Sequence, residues 1–335
     1  MPFQITTQPF GPLPTGVVPL TEYILEHTDT GEFITVIPEY GAMLRRLVLR
    51  KGEHLFSLLR TPESPSALLA DETYASALLY PFPSRIRHGV YAFDGEEYAL
   101  PMNEVSRNHA LHGFVNDKPF VVVGQETSAN HAQLTLRYVY PGDLTGYPFP
   151  FSLSVTYELA LSNTLRLGRD AHADKFCALR MSYSAMNTGT TPGPAAFGWH
   201  PYFCVTTEEN ATLPIDEMTL DLPAEASVTL DEMMIPTGQV QPHAQRGPFA
   251  LNDRQFDTPF VVRPTGDGFA ETVLNVTKQG LWLVVGQETG PGKLNYVVCY
   301  TPYRRDSIAL EPQTANVNAF NTGDALSGTI WVRLE

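Results

Sequence analysis

The stretch Gln133-Leu134-Thr135-Leu136-Arg137-Tyr138-Val139-Tyr140 places Leu134, Leu136, Tyr138 and Tyr140 at every second position. After a turn at Tyr147-Pro148, Phe151, Leu153, Val155, Tyr157 and Leu159 repeat the spacing. A period of two sends alternate side chains to opposite faces of an extended chain, so each segment is predicted to be a strand with one buried face. Working outward, Thr21 to Thr28 and Glu32 to Tyr40 flank Asp29-Thr30-Gly31, and Val90 to Phe93 and Glu96 to Leu100 flank Asp94-Gly95. Both read as β-hairpins, because Asp-Gly tolerates the positive φ of a two-residue hairpin turn. Further strands are predicted at Phe120 to Gly124, Ala178 to Met186, Leu281 to Gly286, Tyr296 to Tyr300, Ser307 to Leu310 and Thr329 to Leu334. Only Ser66 to Leu79 reads as helical. More than a dozen strands against so little helix predict an all-β, large, mostly antiparallel sandwich.

Composition bounds what such a chain does. Its 335 residues, 43% hydrophobic and 17% charged, suffice for a large core in one domain spanning residues 1–335, and no linker forces a division. The 28 prolines and 25 glycines are spread evenly, as many short strands and turns require. A formal charge of −14 repels nucleic acid and anionic lipid unless a basic patch intervenes, and the densest basic cluster is Arg304-Arg305. No apolar run approaches the ~18 residues of a membrane helix. The N-terminus lacks the basic and apolar regions of a signal peptide, and Cys177, Cys204 and Cys299 sit apart in apolar surroundings. These features predict buried thiols in a cytoplasmic protein.

Three segments set ionisable residues inside apolar surroundings. In Asn108-His109-Ala110-Leu111-His112-Gly113 the two histidines are three apart, a helical spacing in a strand-like context with no acidic or cysteine partner nearby. Backbone-bonded loop histidines explain it better than a metal site, and no metal is expected. In Ala196-Phe197-Gly198-Trp199-His200-Pro201-Tyr202-Phe203, one imidazole lies among four aromatics, a setting that suits either a satisfied core histidine or a sugar-binding wall. In Ser307-Ile308-Ala309-Leu310-Glu311-Pro312-Gln313-Thr314, a carboxylate ends an apolar strand, where it is solvent-facing, salt-bridged or held for proton transfer.

Taken in order, these segments resemble the aldose 1-epimerase (galactose mutarotase) family. Leu111-His112-Gly113 resembles its first histidine motif and Trp199-His200-Pro201-Tyr202-Phe203 its second, which follows an Asn187-Thr188-Gly189 turn. Leu310-Glu311-Pro312-Gln313-Thr314 with Ala319-Phe320-Asn321 resembles its glutamate motif, and Pro81-Phe82-Pro83-Ser84-Arg85-Ile86 its arginine motif. The likeness runs from about residue 35 to the C-terminus. It implies a β-supersandwich that binds a free aldohexose and interconverts its α and β anomers by acid/base ring opening, without a cofactor.

Carried over by position, Glu311 is the base that takes the proton from O1, His200 the acid that protonates O5, and His112 the histidine that assists there. Arg85 holds sugar hydroxyls, Asn108 is expected beside it, and Asp257 is the acidic ring-hydroxyl ligand, with Asp253 as its rival. An ordinary carboxyl near 4.3 and an imidazole near 6.5 would supply a charged base and a protonated acid at one pH. The implied partner is a small sugar, not nucleic acid or membrane, bound by a monomer or homodimer. A hexose-6-phosphate 1-epimerase and a non-catalytic carbohydrate-binding or sensing protein of the same fold are the alternatives. The former would draw on Arg45, Arg46, Arg85 and Arg87, which the acidic balance disfavours. Phe114 and Ser84 depart from the family pattern, which commonly has a second glycine and an asparagine at these positions.

Overall fold

A computed structural model describes residues 1–13, 19–162, 176–245, 247–263, 268–318, 321–323 and 325–335, so Ala319 and Phe320 of the glutamate motif lie outside it. The alternating stretch that opens the sequence reading forms the strands His131–Tyr140 and Phe151–Leu161, paired antiparallel with Leu134 opposite Tyr157 and Leu136 opposite Val155. These four side chains are buried, whereas Arg137 faces solvent and Ser154 is only partly covered. The hairpin belongs to a sheet that is nine-stranded among the described residues. It continues through Cys177–Asn187, Ala325–Leu334, Leu281–Glu288 and Phe269–Val276.

The facing sheet has thirteen described strands. It begins with the N-terminal strands Phe3–Pro12, Pro19–His27, Glu32–Ile37, Met43–Lys51 and His54–Leu59. It then passes through Tyr202–Thr206, Ile308–Gln313 and Tyr296–Tyr300 to Asp257–Val262. One cluster of buried side chains from Phe3 to Leu334 fills the space between the sheets. The Tyr157 hydroxyl stitches across that space, donating to the Ala42 carbonyl at 2.8 Å and so satisfying a polar group that burial would otherwise penalise. All strand ladders among the described residues are antiparallel, and one isolated parallel bridge joins Tyr80 to Gly113. Among those residues, no helix is long and apolar enough to cross a membrane. Cys177, Cys204 and Cys299 are buried free thiols.

The helix expected over Ser66 to Leu79 is confined to Pro65–Leu69. Ser64 caps it, its hydroxyl accepting from the Ala67 N–H, and proline occupies its first turn. Past Ala70 the Asp71 carboxylate takes the Thr73 hydroxyl and the Ala75 N–H, a local bonding pattern that competes with helix continuation. Ala77–Leu79 then becomes a strand paired with Gly198–His200, where tertiary pairing overrides the helical spacing. The Asp94-Gly95 hairpin forms as read, with φ of 50° and 82° at its two turn residues.

Candidate active site

Two strands carry the central pair. Gly198 lies opposite Gln313, Tyr202 opposite Ala309 and Phe203 opposite Ile308, and continuing that register across Pro201 and Pro312 sets His200 opposite Glu311. Pro201 and Pro312 each lack an N–H, so the ladder is short of a donor on either side of the pair. His200 Nε2 is 3.3 Å from Glu311 Oε1, and both side chains are almost wholly buried. Glu311 Oε2 accepts from Gln313 Nε2 at 3.0 Å, because residues two apart share a strand face. Gln313 Oε1 in turn accepts from the Ser84 hydroxyl at 3.4 Å. Behind His200, the Tyr202 ring lies 5.0 Å away with the Arg60 guanidinium 4.3 Å above it, and Trp199 is wholly buried with its N–H donating to Ser76.

A second pair of strands brings the other residues. Arg85–Arg87 pairs with His109–Leu111, Arg85 opposite Leu111, which delivers His112 to the edge of the site. His112 (φ 63°) and Gly113 (φ 68°) turn the chain there. A Cβ on Gly113 would lie 2.1 Å from the Tyr80 carbonyl oxygen, so only glycine fits. The turn is complete without a second glycine. Phe114 donates its N–H to Tyr80 and packs its ring against Tyr140 and Tyr147, anchoring the loop to the aromatic core. His112 Nδ1 accepts from the Ser84 N–H at 3.2 Å, so a neutral ring carries its proton on Nε2 as a donor. Its ring meets that of His200 edge-on at 5.2 Å.

Burial decides the protonation of these groups. Desolvation pushes the Glu311 carboxyl well above the usual range, and the nearby Asp257 charge adds to it, against smaller opposing effects of Gln313 and Arg85. Desolvation likewise lowers His200 to about 4 and His112 well below an ordinary imidazole. The expectation of an ordinary carboxylate beside a protonated histidine therefore needs correction. Burial thus favours the uncharged form of each group, raising the carboxyl and lowering the imidazole.

Arg85 is fixed by a residue the sequence reading missed. Glu104 accepts from both its Nε and Nη2, each at 2.9 Å, and also binds Arg107 at 2.9 Å. Burial raises the Glu104 carboxyl, but the hydrogen bonds and charges of the two arginines outweigh it and hold it below its ordinary value. The two-point pairing fixes the plane of the Arg85 guanidinium and leaves Nη1 outside the pairing. A Glu104→Gln variant is expected to raise KM about ten-fold with kcat within two-fold, a loss of ~1.4 kcal/mol of binding read from steady-state kinetics.

Asp257 starts the strand Asp257–Val262 and lies within electrostatic reach of Glu311 and Arg85. Solvent reaches it, yet the surrounding cleft walls raise its carboxyl, with Arg85 and Arg107 opposing. Asp253 sits in an exposed turn at φ 56°. The structure thus gathers Glu311, His200, His112, Arg85 and Asp257. Asn108 stands apart: it occupies an exposed turn position (φ 59°) and, among the described residues, bonds to none of the other five. The neighbouring His109 is structural, Nδ1 accepting from the His88 N–H and Nε2 meeting the Met233 carbonyl.

The family model described as aldose 1-epimerase matches residues 23–327. The chain belongs to the aldose 1-epimerase family. Among the curated relatives of this epimerase-family chain is the uncharacterized protein YihR of Escherichia coli (strain K12), 31% identical over 88% of this chain and 84% of that protein. The galactose mutarotase of Sus scrofa is 26% identical over 71% of this chain and 62% of its own length. Among solved structures, a galactose mutarotase-like protein from Clostridium acetobutylicum superimposes with a TM-score of 0.79 at 17% identity, covering 99% of this chain and 98% of that one. The galactose 1-epimerase of Lactobacillus acidophilus NCFM gives 0.77 at 17% identity over 99% of each chain. At these identities the structural matches establish the fold, which is galactose mutarotase-like.

Proposed function

We propose that this chain interconverts the α and β anomers of a neutral free aldohexose, and the observation that carries the reading is the buried Glu311–His200 pair, 3.3 Å apart. Ring opening needs a proton taken from O1 while another reaches O5, so a one-proton pair is the required catalyst in either direction. In the resting site burial keeps that proton on Glu311. Sugar hydroxyls donating to the carboxylate, together with the Arg85 charge, favour its ionised form and move the proton to His200. Glu311 then removes the O1 proton, His200 protonates O5, and the neutral His112 donates Nε2–H beside it. Rotation about C1–C2 presents the other carbonyl face, and the same groups close the ring. Asp257 and Arg85 hold ring hydroxyls. A module that only binds sugar has no need of a matched, dry acid and base.

A phosphate-bearing sugar is disfavoured because three of the four arginines it would draw on are already paired. Arg85 shares Glu104 with Arg107, Arg87 binds Asp231 and Arg45 binds Glu22, while Arg46 lies over the Phe33 ring. Three buried free thiols suit a cytoplasmic setting. Polarimetry on freshly dissolved α-glucose, α-galactose and their 6-phosphates is the test. Acceleration of a free hexose with little effect on its phosphate is expected, and a preference for the phosphate would overturn the neutral-sugar assignment.

A further inference from the structure

The two carboxylate oxygens of Glu311 have different surroundings. Oε1 lies 3.3 Å from His200 Nε2, and Oε2 accepts the Gln313 amide N–H at 3.0 Å. Gln313 is wholly buried, and its side chain fills room that a glycine leaves. A Cβ on Gly198, opposite Gln313 in the ladder, would lie 3.2 Å from Gln313 Cγ and 2.9 Å from Pro83 Cβ. An amide can turn either end to a carboxyl: its N–H₂ stabilises the ionised form, and its oxygen the protonated form. Which end faces Glu311 therefore affects how readily that carboxyl serves as a base.

Ser84 backs the amide from its other side. Its hydroxyl donates to Gln313 Oε1 at 3.4 Å, a long bond that occupies the amide oxygen while the N–H₂ faces Glu311. Ser84 is itself held in place. It is buried at φ 56°, its N–H donates to His112 Nδ1 at 3.2 Å, and its carbonyl accepts the His112 N–H at 2.9 Å. A residue other than glycine at positive φ is uncommon and persists where its surroundings enforce it. One serine thus joins the turn carrying His112 to the strand carrying Glu311. Burial raises the Glu311 carboxyl and Asp257 adds to it, while the Gln313 hydrogen bond and Arg85 oppose them. Among the described residues, His200, Tyr202 and Cys299 are the other titratable groups within reach of that carboxyl.

We propose that Gln313 is a positioning residue for Glu311, its N–H₂ holding Oε2 so that Oε1 takes the O1 proton, and that Ser84 acts through Gln313 by fixing the amide's orientation. The inference rests on the anomer-interconverting reading above. Gln313→Met, Ser84→Ala and the double variant test it, by mutarotation of α-glucose across pH and by melting temperature over the same range. Methionine keeps the length of glutamine and removes both polar groups. Gln313→Met is expected to lower kcat near pH 7 about ten- to hundred-fold, the effect of losing a hydrogen bond to a charged group, with KM within about three-fold. The alkaline limb of kcat/KM, where Glu311 loses its proton, should move to higher pH, because losing the donor raises that carboxyl further. Melting needs no substrate. A carboxyl raised further above its unfolded value makes the variant lose stability more steeply as pH climbs above the ordinary carboxyl range. Ser84→Ala is expected to act in the same directions, by about two- to ten-fold in kcat. Since Ser84 acts through Gln313, the double variant should be no slower than Gln313→Met alone. Gln313→Met within about two-fold of wild type, with limb and melting slope unmoved, overturns the inference. Losses that add in the double variant overturn the role of Ser84. Mutarotation of no free hexose by wild type overturns the anomeric reading instead, and the melting slopes then decide whether Gln313 tunes Glu311.

Discussion

Glu311→Gln is expected to reduce catalysed mutarotation by about 10³-fold, within the range that a positioned general base contributes, while near-ultraviolet circular dichroism stays native. The amide keeps the shape and the contact with Gln313 but cannot take the O1 proton. The pH profile identifies the group. In wild type the one-proton pair gains a second proton on His200 as pH falls through about 4. It loses its only proton as pH rises through the raised value of Glu311, so kcat/KM is bell-shaped with its alkaline limb above the ordinary carboxylate range. Residual activity of Glu311→Gln should lack that limb. Stability moves the other way. Because the folded carboxyl titrates above its unfolded value, the unfolded chain binds fewer protons between the two values, and wild type loses stability as pH climbs from the ordinary carboxyl value through the raised one. Glu311→Gln removes that loss and should show a flatter dependence of melting temperature on pH over that interval. Near-normal turnover, or an unchanged pH dependence of melting, would count against the buried pair.

His200→Ala should cost a comparable factor, about 10²- to 10⁴-fold in kcat/KM, since it removes the proton donor to O5 and leaves Glu311 without its partner at 3.3 Å. Truncating a buried ring also leaves a cavity beside Trp199 and Tyr202, at ~2–5 kcal/mol for large-to-small core changes, so His200→Asn serves as the smaller perturbation. Added imidazole is expected to restore part of the activity of His200→Ala, measured against Glu311→Gln in the same buffer. Equal response of both variants to imidazole would mean that solution catalysis, not the vacated site, is being read. Activity within ten-fold of wild type in both histidine variants would remove His200 from the chemistry.

Much of this molecule is written locally. The alternation of Leu134 to Tyr140 and Phe151 to Leu159 reappears as paired strands with those faces buried, because a period of two needs no distant information. The Asp94-Gly95 turn is equally local. The helical spacing of Ser66 to Leu79 misled, since Asp71 captures the backbone ahead of it and Leu78 is claimed by Trp199, more than a hundred residues away. Asn108, read from its closeness to His112 in the chain, lies in an exposed turn and, among the described residues, bonds to none of the other five, since proximity along a turn does not fix which face a side chain takes.

By itself the sequence determined the all-β class, the order of the motifs and the residue types of the site, properties set by side-chain period and chemical identity over a few positions. Tertiary structure alone decided three things. The register that places His200 opposite Glu311 depends on pairing between strands a hundred residues apart, interrupted by two prolines. The Glu104 clamp on Arg85 depends on how a loop folds back over its own strand. The protonation of the central pair depends on desolvation, a sum over everything packed around it. That last quantity raises the Glu311 carboxyl and lowers the His200 imidazole, because an isolated charge in a buried setting is costly.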